Sequence, residues 1–204
     1  MRTLGRREQN KARIRDALVT AARELGQQRG LENVTAEEIA DRAGVSRRTF
    51  FNYFAGIEDV VAAGLAEPLQ RLAEALHRRP TAEDPLAAIA AALREQPIGA
   101  EVLLVWGPVA SPSTPQRHVL HLRLWQHHER WLVGVLRQRL GAGDELRVRS
   151  LAAAVMALFE VVQEDWASTT AGLDADAAMT AFNSELLRAL DHARAGWQEP
   201  PPSP

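Results

Sequence analysis

An all-α fold is predicted by three features of the sequence. Apolar residues recur at three- and four-residue spacing through one segment after another, the pattern of helices with a buried stripe. These segments are punctuated by residues that open and close helices, with Thr35, Ser46, Asp84 and Asp144 at their fronts and Gly30, Gly44 and Gly141 at their ends. Between Thr35 and Ile57 two of the segments are short and joined by a glycine turn, the arrangement of a helix-turn-helix. The expected architecture is a basic arm at 1–10, an N-terminal three-helix helix-turn-helix domain at 11–56, a larger C-terminal helical domain at 57–195 and a disordered tail at 196–204.

Met1 to Asn10 carries Arg2, Arg6 and Arg7 with no apolar period. It reads either as an arm that reaches phosphate or a minor groove, or as a solvated terminus. Ile14, Leu18, Ala21, Ala22 and Leu25 mark the first helix, with Gly30 placed as its left-handed cap. Thr35 and Glu38 form the pattern T-x-x-E, in which each side chain takes a free backbone amide at a helix start, with Leu31 or Val34 stapling the entry. Ile39, Ala40 and Ala43 face inward, Gly44 supplies the positive φ of a tight turn, and Ser46 caps the next helix. At about 100° per residue, Phe50 and Phe54 fall on one side of that helix, with Arg47, Arg48, Phe51 and Asn52 on the other. Two arginines on a helix able to enter the major groove suit bidentate contact with guanine, and Asn52 suits adenine. Taken singly, the same arginines also fit a solvated face and Asn52 a local cap.

Residues 11 to 61 resemble the N-terminal domain of the TetR family of transcriptional regulators, most specifically in the run VTAEEIADRAGVSRRTFFNYFAGIEDVV. The resemblance covers about a quarter of the chain. It implies an all-α homodimer, a three-helix DNA-binding domain, and a larger domain for small-molecule effector binding and dimerisation. It also implies phosphate or base contacts with a double-stranded DNA operator from Thr35, Ser46, Arg47, Arg48, Thr49 and Tyr53. Asn52, Arg6 and Arg7 join these as contact candidates on the residue reading above. The family usually has tyrosine where Phe51 stands and lysine where Ile57 stands, so neither of those contacts is carried over. The basic arm is expected to compensate.

Val60, Val61, Leu65, Leu69, Leu72 and Leu76 continue a long helical stripe in which Pro68 is an interruption, read as a static kink or as a hinge with Gly64. Asp84 and Pro85 open a short alanine-rich helix ending before Pro97. A short buried helix and bend are expected within Ile98 to Ala110, and a long helix from Pro115 to Leu140. Asp144 caps the next, carrying Leu151, Val155, Phe159, Val162 and Trp166, with Gly172 ending it; the last helix carries Met179, Phe182, Leu186 and Leu190. More apolar surface than one protomer can cover suggests a four-helix interface between two copies, as the resemblance also implies. The expected dimer residues are Leu151, Val155, Val162, Trp166, Phe182, Leu186 and Leu190.

Aromatic and imidazole groups concentrate around Trp106, His118, His121, Trp125, His128 and Trp131. A family-type effector pocket would use Trp106, His121, Trp125, His128 and Phe159 for a largely hydrophobic molecule with a polar group. Ordinary core packing is the alternative. No metal site is expected, because His127-His128-Glu129 lacks the H-E-x-x-H spacing and no cysteine is present. No cofactor and no enzymatic activity are expected either, since glycine-rich phosphate loops and nucleophile elbows are missing. Residues 1–56 hold 11 Lys/Arg against 7 Asp/Glu, while 57–204 hold 13 against 19, a basic end on an acidic body. The longest clean apolar run, Leu151 to Phe159, is far short of the roughly 18 residues that span a bilayer, so no membrane association and a cytoplasmic location are expected. The expected function is that of a dimeric repressor released from a near-palindromic operator by its effector. The alternative is a helical interaction protein that keeps the helix-turn-helix as scaffold.

Overall fold

A computed structural model describes residues 5–99, 115–141, 143–169 and 174–198. Among them there is no strand, and eight α-helices follow one another: α1 (Arg6–Arg29), α2 (Ala36–Arg42), α3 (Arg47–Tyr53), α4 (Ile57–Arg78), α5 (Pro85–Glu95), α6 (Pro115–Leu140), α7 (Glu145–Thr169) and α8 (Ala175–Arg194). A 3-10 turn, Leu31–Asn33, joins α1 to α2. No helix among the described residues is long and apolar enough to cross a membrane. The chain divides into two compact units, one of residues 1–66 and 112–124, the other of 67–111 and 125–204.

The first unit is built on Leu18, Ala21, Ala22 and Leu25 of α1, Val34, Ile39 and Ala40 around α2, Phe50 and Phe54 around α3, and Val60 of α4. Each larger side chain fully buried there contributes about 1.5–3 kcal/mol. Helix α1 begins at Arg6, earlier than expected, so Arg6 and Arg7 occupy its first turn and not an extended arm. Arg, Glu, Gln, Lys and Ala, which fill this segment, all favour helix without any buried stripe. Gly30 ends α1 at φ 81 and ψ 139, a positive φ with an extended ψ, outside the left-handed helical cap that was expected. Leu31 folds back so closely on α1 that a Cβ on Gly26 would lie 2.8 Å from its Cδ2.

Helix α4 runs unbroken through Pro68. The missing proline amide leaves only the Gly64 carbonyl without its helical partner, and Gly64 is exposed, so solvent can take that carbonyl. Gly64 itself has a packing role, because an added Cβ would stand 3.2 Å from Val19 Cγ1 of α1.

In the second unit, α5, α7 and α8 bury Ile89, Leu93, Val148, Met156, Phe182, Leu186 and Leu190 against Leu76 of α4 and Leu132, Val135 and Leu136 of α6. Asp84, Asp144 and Asp174 cap α5, α7 and α8 by accepting from the amides of Ala87, Arg147 and Ala177. The expected helix within Ile98 to Ala110, including Trp106, lies outside the described residues beyond Gly99, as do Gly172, residues 199–204 and Arg2. The start of the expected tail is an ordered turn, with the Gly196 and Trp197 amides donating to the Ala193 and His192 carbonyls.

Candidate nucleic-acid interface and an apolar cavity

The reading face is assembled by local polar bonds. Thr35 Oγ1 accepts from the Glu38 amide at 3.2 Å while Glu38 Oε2 accepts from the Thr35 amide at 2.9 Å, the reciprocal capping box. The Thr35 hydroxyl bond, then the Thr35 amide and Arg29, hold the Glu38 carboxyl below the usual glutamate range. Arg29 also ties α1 to α2 through Glu38 at 2.7 Å, and Arg42 returns the tie through Glu24 at 3.1 Å. Gly44 takes φ 70, which lets the Val45 amide reach back to the Ala40 carbonyl and turns the chain sharply into α3. Ser46 Oγ then accepts from the Thr49 amide at 3.1 Å and lies 2.9 Å from Thr49 Oγ1.

Phe50 anchors α3 in the core and is fully buried, whereas Arg47, Arg48, Phe51 and Asn52 are exposed together, as the helical spacing predicts. Neither Arg47 nor Arg48 meets a carboxylate among the described residues; Arg47 instead lies over the Phe51 ring, 5.2 Å from its centroid. Tyr53 is half-buried against the core. At the start of α4, Asp59 Oδ2 accepts from the Ala55 amide at 2.9 Å, and Arg123 of α6 is ion-paired to Glu58. Arg7, Gln9, Asn10 and Arg13 form a shallow exposed patch on α1, with Arg13 donating to Asn10 at 3.0 Å.

The second unit holds an apolar cavity of about 100 Å³, partly open to the surface. Leu69, Leu72, Ala73 and Leu76 of α4 line one wall, and His128, Trp131, Leu132 and Val135 of α6 another. Val155, Met156 and Phe159 of α7 and Leu186 and Leu190 of α8 close it, with α5 and Ile98. Among the described lining residues none carries a formal charge, and His128, 6% exposed, and Trp131 line it with carbon, so the surface facing the cavity is apolar. Ile98 is fixed at this wall by Asn183 of α8, whose amide accepts from the Ile98 amide at 2.8 Å and donates to its carbonyl at 2.9 Å.

The family model for bacterial regulatory proteins of the tetR type matches residues 18–63. The HTH-type transcriptional regulator TcmR of Streptomyces glaucescens is 31% identical over 209 residues, spanning 96% of this chain and 91% of that protein. The chain belongs to the TetR family. It is therefore a DNA-binding transcriptional regulator of a non-enzymatic family. Two solved TetR structures share the fold. The Thermus thermophilus repressor FadR, in complex with lauroyl-CoA, has a TM-score of 0.51 at 23% identity over 93% of this chain and 98% of its own. NalD, the secondary repressor of the MexAB-OprM multidrug efflux pump in Pseudomonas aeruginosa, has 0.53 at 18% over 89% and 97%.

Within this TetR chain the sequence-derived pocket residues are only partly brought together. His128 and Phe159 line the cavity; Trp125 is half-buried against the body core without lining it, and His121 clusters with the first unit. Trp131, one of the aromatic and imidazole groups noted in the sequence, lines the cavity; Asn183 and the α4 wall were not anticipated. Asn183 had a visible signal, a polar residue one position past Phe182 on an otherwise apolar stripe.

The expected dimer residues also divide. Val162, Phe182, Leu186 and Leu190 are buried in the core of their own chain, so their surface is already covered without a second copy. Val155 lines the cavity, and Trp166 Nε1 donates to the Ala178 carbonyl at 2.7 Å, packing edge-on to Phe182. Leu151 is half-buried. The outer side of α7 instead presents Ala153, Ala154, Ala157 and Val161, the last 63% exposed.

Proposed function

We propose that two copies of this TetR regulator occupy successive major grooves of a near-palindromic operator and repress until a small, largely hydrophobic, uncharged effector enters the body cavity. The observation that carries this reading is the apolar cavity that five helices of the body line. At about 100 Å³ it falls short of the ~300–1,000 Å³ of ordinary ligand sites, so an effector must push its walls apart, and α4, one wall, continues into the reading unit. A charged ligand would lose its hydration without a countercharge from the described lining residues, which favours a neutral molecule of largely apolar surface.

On the DNA, Arg47, Arg48 and Asn52 supply base or phosphate contacts, with Thr35, Ser46, Thr49, Tyr53, Arg6 and Arg7 on the backbone. The two readers stand about 34–36 Å apart, one turn of duplex. Dimerisation uses the exposed outer sides of α7 and α8, including Val161. The effector lowers operator affinity by its differential affinity for the free and DNA-bound states.

The test selects bound fragments from genomic DNA and then screens neutral hydrophobic compounds for release of the selected fragment. Release that is weakened by Val155→Trp, which narrows the cavity, supports the reading. A selected fragment that no such compound releases favours the helical interaction protein without an effector. Equal compound affinity for free and DNA-bound protein rejects the linkage.

A further inference from the structure

Phe51 is 46% exposed on the face of α3 that also carries Arg47 and Arg48. Its ring is oriented from beneath, edge to face with the fully buried Phe50 at 5.2 Å and 83°. From above, the Arg47 guanidinium carbon lies over the ring at 5.2 Å, the two residues being one helical turn apart. A core residue thus sets a surface ring, and the ring sets a cation. Arg48, next in sequence, has no such support among the described residues.

We infer that Phe51 is a positioning and specificity-determining residue of the reader, resting on the reading of α3 as the DNA-contacting helix. A bidentate contact to guanine requires a guanidinium whose donor edge points in a fixed direction. Cation–π contact restrains the guanidinium without using an N–H donor, so Arg47 keeps its donors for the base. The exposed ring edge beside it is an apolar surface suited to a thymine methyl. The pair therefore reads guanine next to thymine, and Arg48, free to follow the backbone, serves phosphate.

The experiment uses the full-length protein and two duplexes, a genomic fragment selected by the wild type and its scrambled version, each titrated over a range of salt. Phe51→Ala is expected to weaken the selected duplex by roughly two- to fivefold, with the scrambled duplex and the salt slope unchanged. Phe51→Tyr keeps the ring and should restore selectivity; Phe51→Leu keeps the apolar contact and should lose preference at guanine alone. In the double variant, Phe51→Ala should add less to Arg47→Ala than it costs by itself. Equal loss on both duplexes, full additivity, or wild-type affinity in both Phe51→Ala and Phe51→Leu overturns the inference while leaving the regulator reading intact. A wild type that selects no fragment removes both.

Discussion

In the reading unit Arg47 and Arg48 stand exposed with no carboxylate against them among the described residues, whereas in the body Arg139 is buried, 6% exposed, and turned inward. Its Nη1 donates to the carbonyls of Leu76 at 3.3 Å and Arg79 at 3.0 Å, and its Nη2 to those of Pro80 at 2.6 Å and Glu83 at 3.4 Å. The last carbonyls of a helix have no amide partners, and a cation there is favourable, so Arg139 completes the end of α4 and the loop into α5. Arg79 and Glu83 pair across the same loop, and the Arg79 hydrogen bonds hold the Glu83 carboxyl below its usual range. One residue type serves two ends: in the reader its donors are left for a partner outside the chain, and in the body both terminal amino groups are taken up by the chain itself.

The sharpest way to break this contrast is Arg139→Met, which removes four hydrogen bonds to the Leu76, Arg79, Pro80 and Glu83 carbonyls and the cation that holds the loop after α4. A loss of about 3 kcal/mol in urea unfolding is expected. Arg139→Lys should recover little of it, because an ammonium lacks the planar fork. A loss below ~0.5 kcal/mol would mean that the carbonyls find other donors. Arg47→Ala should cost about 2 kcal/mol of operator binding, selectively at one base pair, and leave the unfolding midpoint unmoved. Arg48→Ala should weaken all duplexes alike and lower the salt slope by about one, and a base-selective loss there would reverse the roles of the two arginines. Thr35→Ala removes the cap of α2 and should lower stability by about 1 kcal/mol; an unchanged midpoint would show that the box adds nothing beyond local order.

The smallest effect is that of acid. Glu38 in the reader, and Glu83 and Glu145 in the body, all have carboxyls lowered by hydrogen bonds, to Thr35, Arg79 and Arg137 respectively. A lowered folded value means that the stabilisation is present above the unfolded value and is lost as pH falls through the folded one. Unfolding measured from pH 7 downward should therefore show these contributions fading only below about pH 4. Fading that begins near neutrality would point to histidines instead.

The reader was legible because its determinants act over a few residues. T-x-x-E, Gly44 and Ser46 each close a bond within three to five positions, so spacing alone identifies them. The start of α1 was less so, since a helix without a buried stripe leaves no period to detect. In the body the stripes were visible, but an apolar stripe says that it is covered and not by what. Phe182, Leu186 and Leu190 looked available to a second copy and are used by their own chain. The cavity is likewise a product of five helices brought together, and only His128, Trp131 and Phe159 of its walls were named from sequence. Arg139 could have been noticed, because it continues the buried series Leu124, His128, Leu132, Leu136 with a charge where an aliphatic residue is expected.

The Arg139 bonds span 56 to 63 residues of chain, while the Thr35 and Ser46 caps span three. During synthesis the reader's caps can therefore close as soon as their own turns leave the ribosome, whereas the end of α4 stays incomplete until nearly all of α6 has been made. The reader's caps are in place while residues 112–124, which complete its unit, and the body are still being made, and the last turn of α4 joins the two stages in time.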